Sequence, residues 1–164
     1  MKWIREYYLK STLEKPKKKP TQKSILLNTE NIKTISIIAN NKDEIEAITE
    51  VIHSDLDENI RVIGNYYDEK SIDEQAFSYK DFTLFGKPRE KLNQLLSLKP
   101  DLIIFTPEKL NYFTLFLLQL QSASYSMGFY NEETKPYLDL MLNNKEKDIQ
   151  SGTALLIKYL KQIN

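Results

Sequence analysis

The sequence contains no cysteine, only four glycines and a single histidine, and these scarcities exclude several kinds of functional site. Without cysteine there is no disulfide, no thiolate nucleophile, no zinc finger and no iron–sulfur cluster. The glycines are isolated, so the glycine-rich loops that cradle phosphates are missing. The histidine, His53, has no G-x-S-x-G nucleophile elbow to serve, and we expect it at the surface or at its boundary. The sequence therefore contains no recognisable catalytic centre.

Metal-binding patterns and long apolar runs are missing as well. Acidic clusters at 55–58 and 68–74 lack the central glycine and terminal glutamate of a calcium loop, so we predict neither a metal nor a cofactor. A membrane-spanning helix needs about 20 apolar residues in a row, and the longest runs here are as short as Leu102–Phe105. Residues 1–13 carry charged side chains and no cleavage site of small residues. We therefore expect no secretory signal and a cytoplasmic location.

Charge is spread unevenly along a chain whose net charge is zero. Residues 2–23 contain eight basic and two acidic residues, so they carry a net charge of +6 and the remainder carries −6. The run 14–20, Glu-Lys-Pro-Lys-Lys-Lys-Pro, cannot continue a helix because it holds two prolines and its lysines repel one another. We predict an amphipathic helix and basic linker over residues 1–23, dispensable for folding but required for a large partner, and a domain over 24–164.

Strands and helices alternate along the rest of this 164-residue chain, whose length suits one domain. The β-branched run Thr34–Ala39 predicts a buried strand, 42–56 a helix with apolar residues at helical spacing, and 60–66 a second strand. Further strands are predicted at 79–85, 101–105 and 124–129, helices at 88–98, 110–121 and 147–163, and 137–142 is ambiguous. The pattern predicts a single Rossmann-like three-layer α/β domain with a mostly parallel sheet of four to six strands. The two most apolar strands, 34–39 and 101–105, should be central.

The segment 82–89, Phe-Thr-Leu-Phe-Gly-Lys-Pro-Arg, is the most distinctive in the chain. Aromatic residues beside a glycine turn and two cations can form a recognition surface. The same residues also suit a strand that packs into the core and then turns, which is the interpretation we favour. Together with the basic N-terminal segment, this gives the candidate partner-binding residues Trp3, Arg5, Lys15, Lys17, Lys18, Lys19, Lys87 and Arg89.

Several motifs in the second half of the chain resemble known families. They are Lys-Pro-Asp-Leu-Ile-Ile-Phe at 99–105, Ser-Ala-Ser-Tyr-Ser-Met-Gly-Phe at 122–129, Asp-Leu-Met-Leu at 139–142, and a last helix ending in Tyr-Leu. From residue 34 to 163 this order is similar to a family of small cytoplasmic proteins of unknown function common in Bacteroidota. Over 101–129 it distantly resembles the N-terminal half of heptosyltransferase-like glycosyltransferases.

The departures from the transferase pattern limit what this resemblance implies. Those enzymes have two Rossmann-like halves and a Gly-Asp pair after the first strand, whereas this chain has one half and reads Asn-Asn-Lys-Asp at 40–43. The resemblance therefore implies the fold and not the activity. We expect neither a sugar nucleotide nor a dinucleotide to bind.

The functional hypothesis from the sequence is a non-enzymatic cytoplasmic binding or scaffold protein of unknown partner. Three alternatives remain open. The basic N-terminal segment could attach the protein to RNA or the ribosome, or the N-terminal helix could lie on a membrane surface. The chain could also be a degenerate or partner-dependent glycosyltransferase-like half. A homo-oligomer is compatible with each of them.

Overall fold

A computed structural model describes residues 1–14, 28–121, 123–143 and 148–163. These residues form five α-helices, six strands and two short 3-10 turns at Thr29–Asn31 and Tyr79–Asp81. In chain order the elements are α1 Lys2–Glu14, β1 Thr34–Ala39, α2 Lys42–Asp55, β2 Arg61–Tyr67, β3 Ala76–Phe77, α3 Glu90–Ser97, β4 Leu102–Phe105, α4 Tyr112–Leu120, β5 Tyr125–Phe129, β6 Leu140–Leu142 and α5 Ile149–Ile163.

The strands form one sheet in the order β3-β2-β1-β4-β5-β6, and every strand pair that the structure describes is parallel. β1 and β4 lie side by side in the middle, with Ile35 opposite Leu102 and Ile38 opposite Phe105. All four of these residues are buried. The predicted Rossmann-like α/β fold and its two central strands are therefore confirmed. The direction in which successive strands are added reverses between β1 and β4, which is a topological switch point.

Each face of the sheet is covered by its own apolar core because side chains alternate between the two faces along a strand. Ile35 and Ile37 of β1 pack in the core formed with α2 and α5. Ile38 of the same strand packs in the other core, together with Phe113 of α4 and Leu9 of α1. The N-terminal helix α1 is thus part of the layer that covers this second face of the sheet. The domain boundary expected near residue 23 lies outside the described residues.

The prediction of a strand at 79–85 is wrong. Tyr79–Asp81 form a 3-10 turn, and the third strand is the two-residue β3 just before it. A capping box fixes the turn, since Ser78 N donates to Asp81 Oδ2 at 2.8 Å and Lys80 N donates to Ser78 Oγ at 3.2 Å. The alternation in the sequence arises because Phe82 is buried in the core and Phe85 is exposed. It does not arise from side chains on the two faces of a strand.

The C-terminal elements follow the prediction closely. The ambiguous segment at 137–142 provides the edge strand β6, which pairs with β5 through Gly128 and Met141. A Cβ at Gly128 would lie 2.2 Å from the carbonyl oxygen of Phe105, so only glycine allows β5 to lie this close to β4. Among the helices that the structure describes, none combines the length and the apolar character needed to cross a bilayer.

Candidate docking surface

The N-terminal helix α1 is fixed to the domain along one side. Leu9 is fully buried in the core that α4 helps to form. Arg5 Nε donates to the carbonyl oxygen of Phe82 at 3.0 Å, and the Arg5 guanidinium lies 5.5 Å from the centre of the Tyr79 ring. These contacts argue against the expectation that residues 1–23 are dispensable for folding. α1 is therefore attached to the domain through one buried side chain and through hydrogen bonds, although it buries fewer residues than α4.

An exposed polar network adds a second attachment near the start of α1. Lys2 Nζ lies 2.5 Å from Glu69 Oε1, and the hydroxyl of Tyr67 donates to the same oxygen at 3.0 Å. The hydrogen bond from Lys2 lowers the pKa of Glu69, and the same bond raises the pKa of Lys2. Burial raises the pKa of Tyr67, with a further contribution from Glu69. Because the ion pair is about 40% exposed, it contributes roughly 0–1 kcal/mol.

The turn at residues 82–88 packs directly on α1. Phe82 is fully buried, and its carbonyl oxygen accepts hydrogen bonds from Arg5 Nε and, at 3.3 Å, from Arg89 Nε. Thr83 N donates to the carbonyl oxygen of Lys87 at 2.7 Å, which closes the turn. Gly86 has a φ of 75°, in the left-handed region that favours glycine. Phe82 thus enters the core, as the favoured interpretation expects, while Leu84 and Phe85 remain exposed.

Five side chains of α1 and this turn form an exposed aromatic surface, which we call the α1 surface. Trp3, Tyr7 and Phe85 are 70%, 68% and 67% exposed, and Tyr8 and Leu84 complete the surface. The Tyr8 ring lies between the rings of Tyr7 and Phe85. Its centroid is 5.5 Å from the centroid of each of them, and both contacts are edge-to-face. Trp3 precedes Tyr7 by one helical turn and is its neighbour on the helix. The surface is therefore continuous across two separate segments of the chain.

Exposed lysines flank the α1 surface on both segments. Lys10 follows Tyr7 by three residues and lies on the same side of the helix, and Lys87 belongs to the turn. Of the residues singled out in the sequence, Trp3 lies on the exposed side of α1 and Lys87 lies in the turn that packs on the helix at Tyr8 and Leu9. Arg5 and Arg89 support the surface from below through the carbonyl oxygen of Phe82. The remaining candidates, Lys15, Lys17, Lys18 and Lys19, lie outside the described residues.

Sequence reasoning missed Lys10 and much of the aromatic part of this surface. The spacing of Trp3 and Tyr7 predicted one side of a helix, but not whether that side faces the core or solvent. Leu9, which lies on the opposite side, decides the orientation because it is the residue of α1 that is completely buried. Phe85 was visible as an aromatic residue beside Gly86, and only the tertiary contact with Tyr8 places it next to α1.

A crevice at the carboxyl ends of β1 and β4 is a second candidate site, because open parallel sheets bind ligands at such switch points. It has a volume of about 510 Å³. Two capped helices begin beside it: Asn41 Oδ1 accepts from Glu44 N at 2.9 Å, and Asn111 Oδ1 accepts from Thr114 N at 2.8 Å. The lining residues are Ala39, Asn40, Asn41, Glu44, Tyr67, Pro107, Glu108, Lys109, Asn111 and Thr114.

The side chain of Glu44 already engages donors of the loop between β1 and α2 that an anionic ligand could use. Its carboxylate accepts from Asn40 N at 2.8 Å and from Asn40 Nδ2 at 3.1 Å. Asn40 is further engaged by Glu108 N, which donates to its Oδ1 at 3.0 Å. A phosphate placed beside Asn40 would meet the negative charge of the Glu44 carboxylate. The arrangement thus disfavours the phosphate-binding mode of Rossmann-like folds.

The remaining polar candidates are ordinary structural residues. His53 is half-buried, and its Nε2 lies 3.0 Å from the carbonyl oxygen of Ile60, as expected of a boundary position. Within the described part of the chain, no group of three or more histidine, aspartate or glutamate side chains is arranged to hold a metal ion. The α1 surface is therefore the best-defined candidate site.

Comparison with known protein families gives a match over residues 3–163 to a family of unknown function, DUF6913. The chain belongs to this family. The matched range begins at Trp3 and includes α1, the turn at 82–88 and the whole sheet. The α1 surface therefore lies within the family unit. No curated protein and no solved structure matches this DUF6913 chain.

Proposed function

We propose that this chain is a non-enzymatic binding protein that docks onto a larger partner through the α1 surface. The observation that carries the proposal is the contact of Tyr8 with Phe85, which joins exposed aromatic residues of two distant segments into one surface. Exposed aromatic rings contribute little to the stability of a free chain, and contiguous apolar patches of this kind are typical of interaction sites. Tyrosine and tryptophan are also the residues that dominate binding surfaces.

The support beneath the surface favours the same proposal. Leu9 and Phe82 are fully buried directly behind it, and Arg5 joins α1 to the turn through a single carbonyl oxygen. A rigid platform of this kind loses little side-chain freedom when a partner binds. The protein would therefore present the α1 surface in one fixed arrangement.

A glycosyltransferase-like activity has less support. It would place a sugar nucleotide near the crevice, where the Glu44 carboxylate lies at the start of α2 and accepts from both donors of Asn40. The resemblance to those enzymes, a cytoplasmic location and an origin in Bacteroidota remain proposals that rest on the sequence. The RNA and membrane alternatives both use the N-terminal region, and their chemistry distinguishes them below.

Fractionation of a native cell extract on a density gradient tests the docking proposal. The test variant is Tyr7→Ser/Phe85→Ser. The matched control is Tyr159→Ser/Ile163→Ser, which removes two exposed apolar side chains from α5 on the opposite face. We expect the unaltered chain and the control to migrate with a large assembly, and the test variant to migrate as the free chain. Equal migration of all three proteins would contradict the proposal.

A further inference from the structure

We infer that the partner of the α1 surface is the surface of an anionic lipid bilayer, an inference that rests on the proposed docking function. The α1 surface combines Trp3 with two tyrosines, and these are the residue types that concentrate where a bilayer meets water. Their rings are apolar while the indole N–H and the hydroxyls are polar, so each can reach the acyl boundary and the headgroups together. Phe85 and Leu84 add purely apolar side chains at the tip of the turn.

The charge distribution gives such a surface both attraction and orientation. Exposed Lys10 and Lys87 flank the rings. Five further lysines at 15–23 follow α1 in the chain without an acidic residue among them, and they add attraction without belonging to the α1 surface. The rest of the chain, residues 24–164, carries −6, so an anionic bilayer repels it. Only the side that carries α1 is therefore expected to face the lipid.

A second copy of the chain is a poor occupant of this surface. Symmetric contact would bring together the lysines that flank the surface in each copy, Lys10 and Lys87, and like charges that meet across an interface oppose association. Lysine is also depleted at protein–protein contacts, where arginine is preferred. Here the two arginines near the surface, Arg5 and Arg89, are already bonded to the carbonyl oxygen of Phe82.

Single-stranded RNA fits the surface less well than lipid does. Stacking on bases requires free ring faces, whereas Tyr8 forms edge-to-face contacts with both Tyr7 and Phe85. The exposed cations are lysines, which act as point charges, while arginine is the residue of choice for recognising phosphate in nucleic acids. An aliphatic side chain such as Leu84 adds nothing to a stacking platform but inserts readily between lipids.

Trp3 is the only tryptophan in the chain, so its fluorescence reports directly on the α1 surface. The full chain is titrated with vesicles of phosphatidylcholine and phosphatidylserine, with vesicles of phosphatidylcholine alone, and with single-stranded RNA. Co-sedimentation with the vesicles is measured in parallel. We expect a blue shift of Trp3 emission and salt-sensitive co-sedimentation with the anionic vesicles only.

Two variants that retain Trp3 separate the apolar and the electrostatic contributions. Tyr7→Ser/Phe85→Ser and Lys10→Gln/Lys87→Gln are each expected to weaken partitioning by about tenfold. The controls Tyr159→Ser/Ile163→Ser and Lys135→Gln/Lys158→Gln make the same types of change at other exposed positions, and we expect them to bind as the unaltered chain does.

Equal partitioning onto neutral and anionic vesicles, or none onto either, would overturn the inference. So would a blue shift produced by RNA or by self-association at high protein concentration. The docking proposal survives those results if the density gradient still shows an assembly that depends on Tyr7 and Phe85. Both ideas fail together if the Tyr7→Ser/Phe85→Ser variant matches the unaltered chain in the gradient and in the vesicle titration.

Discussion

Gly86 and Tyr8 are in such close contact that a Cβ atom at position 86 would lie 3.1 Å from the Cβ of Tyr8. The same glycine has a φ of 75°. A side chain at residue 86 would therefore be strained by the left-handed backbone and would push against Tyr8. Because Phe85 precedes Gly86 in the chain, this contact helps to hold the Phe85 side chain beside α1.

Replacement of Gly86 by alanine should destabilise the protein. The left-handed backbone costs a residue with a Cβ about 1–2 kcal/mol, and the approach to Tyr8 adds to this cost. Gly86→Asn is the matched comparison, since asparagine tolerates this conformation better than other residues with a side chain. In urea unfolding, the free energy of unfolding should be highest with glycine at position 86, lower with asparagine and lowest with alanine. An alanine variant as stable as the unaltered chain would contradict the contact.

Leu9→Ala should lower the free energy of unfolding by about 2–5 kcal/mol, as expected when a fully buried leucine is truncated. Tyr7→Ala, two residues away on the exposed side of α1, should change it by less than about 0.5 kcal/mol. Thermal or urea unfolding of the two variants provides the measurement. If both are neutral, α1 is not part of the cooperative unit, and the sequence-based expectation of a dispensable N-terminal segment would be restored.

The ion pair between Lys2 and Glu69 should make the attachment of α1 sensitive to acid. The pKa of Glu69 is lowered in the folded chain, so its contribution is present above the pKa of an unfolded glutamate, about 4.3, and is lost as the pH falls through the folded value. The stability difference between the unaltered chain and Lys2→Gln should therefore be small at neutral pH and vanish in acid. Unfolding curves of both proteins at a series of pH values measure this difference. A difference that grows as the pH falls would contradict the prediction.

The crevice should not bind nucleotides with useful affinity. Calorimetric titration of the chain with a nucleotide sugar or with a dinucleotide is expected to give no heat of binding, because the Glu44 carboxylate engages the donors of Asn40 and would repel a phosphate. Micromolar binding would revive the transferase interpretation. Loss of that binding in an Asn40→Ala variant would locate it in the crevice.

The sequence predicts most of the sheet and little of the surface, for a physical reason. A run such as Thr34–Ala39 is apolar on both sides, and only a central strand covered on both faces can bury it. By contrast, 79–85 alternates because Phe82 enters the core while Phe85 remains outside, and a local pattern cannot distinguish this from a strand. The crevice could be expected from the strand order, but the engagement of Glu44 depends on side-chain geometry.

The α1 surface depends on contacts that no local pattern records. Trp3 and Tyr7 lie on one side of a helix, whereas Leu9 and Leu13 on the other side pack against the core and determine which side is buried. The neighbour of Tyr8 is Phe85, far along the chain, and nothing in the spacing of either segment indicates this pairing. Candidate residues chosen for their charge, such as Arg5 and Arg89, proved to be supports beneath the surface.

The packing of α1 also determines when this helix can be buried while the chain is being synthesised. The helix leaves the ribosome before the residues that cover it, since its hydrogen-bond partner Phe82 lies 77 residues after Arg5 and Leu9 packs in a core that also contains Leu138. Chains are made at about 5–20 residues per second, so α1 spends several seconds with its apolar residues uncovered. α1 is thus buried only after much of the chain that follows it has been made, and a nascent chain that stalls before α4 is made would expose both sides of α1 to chaperones.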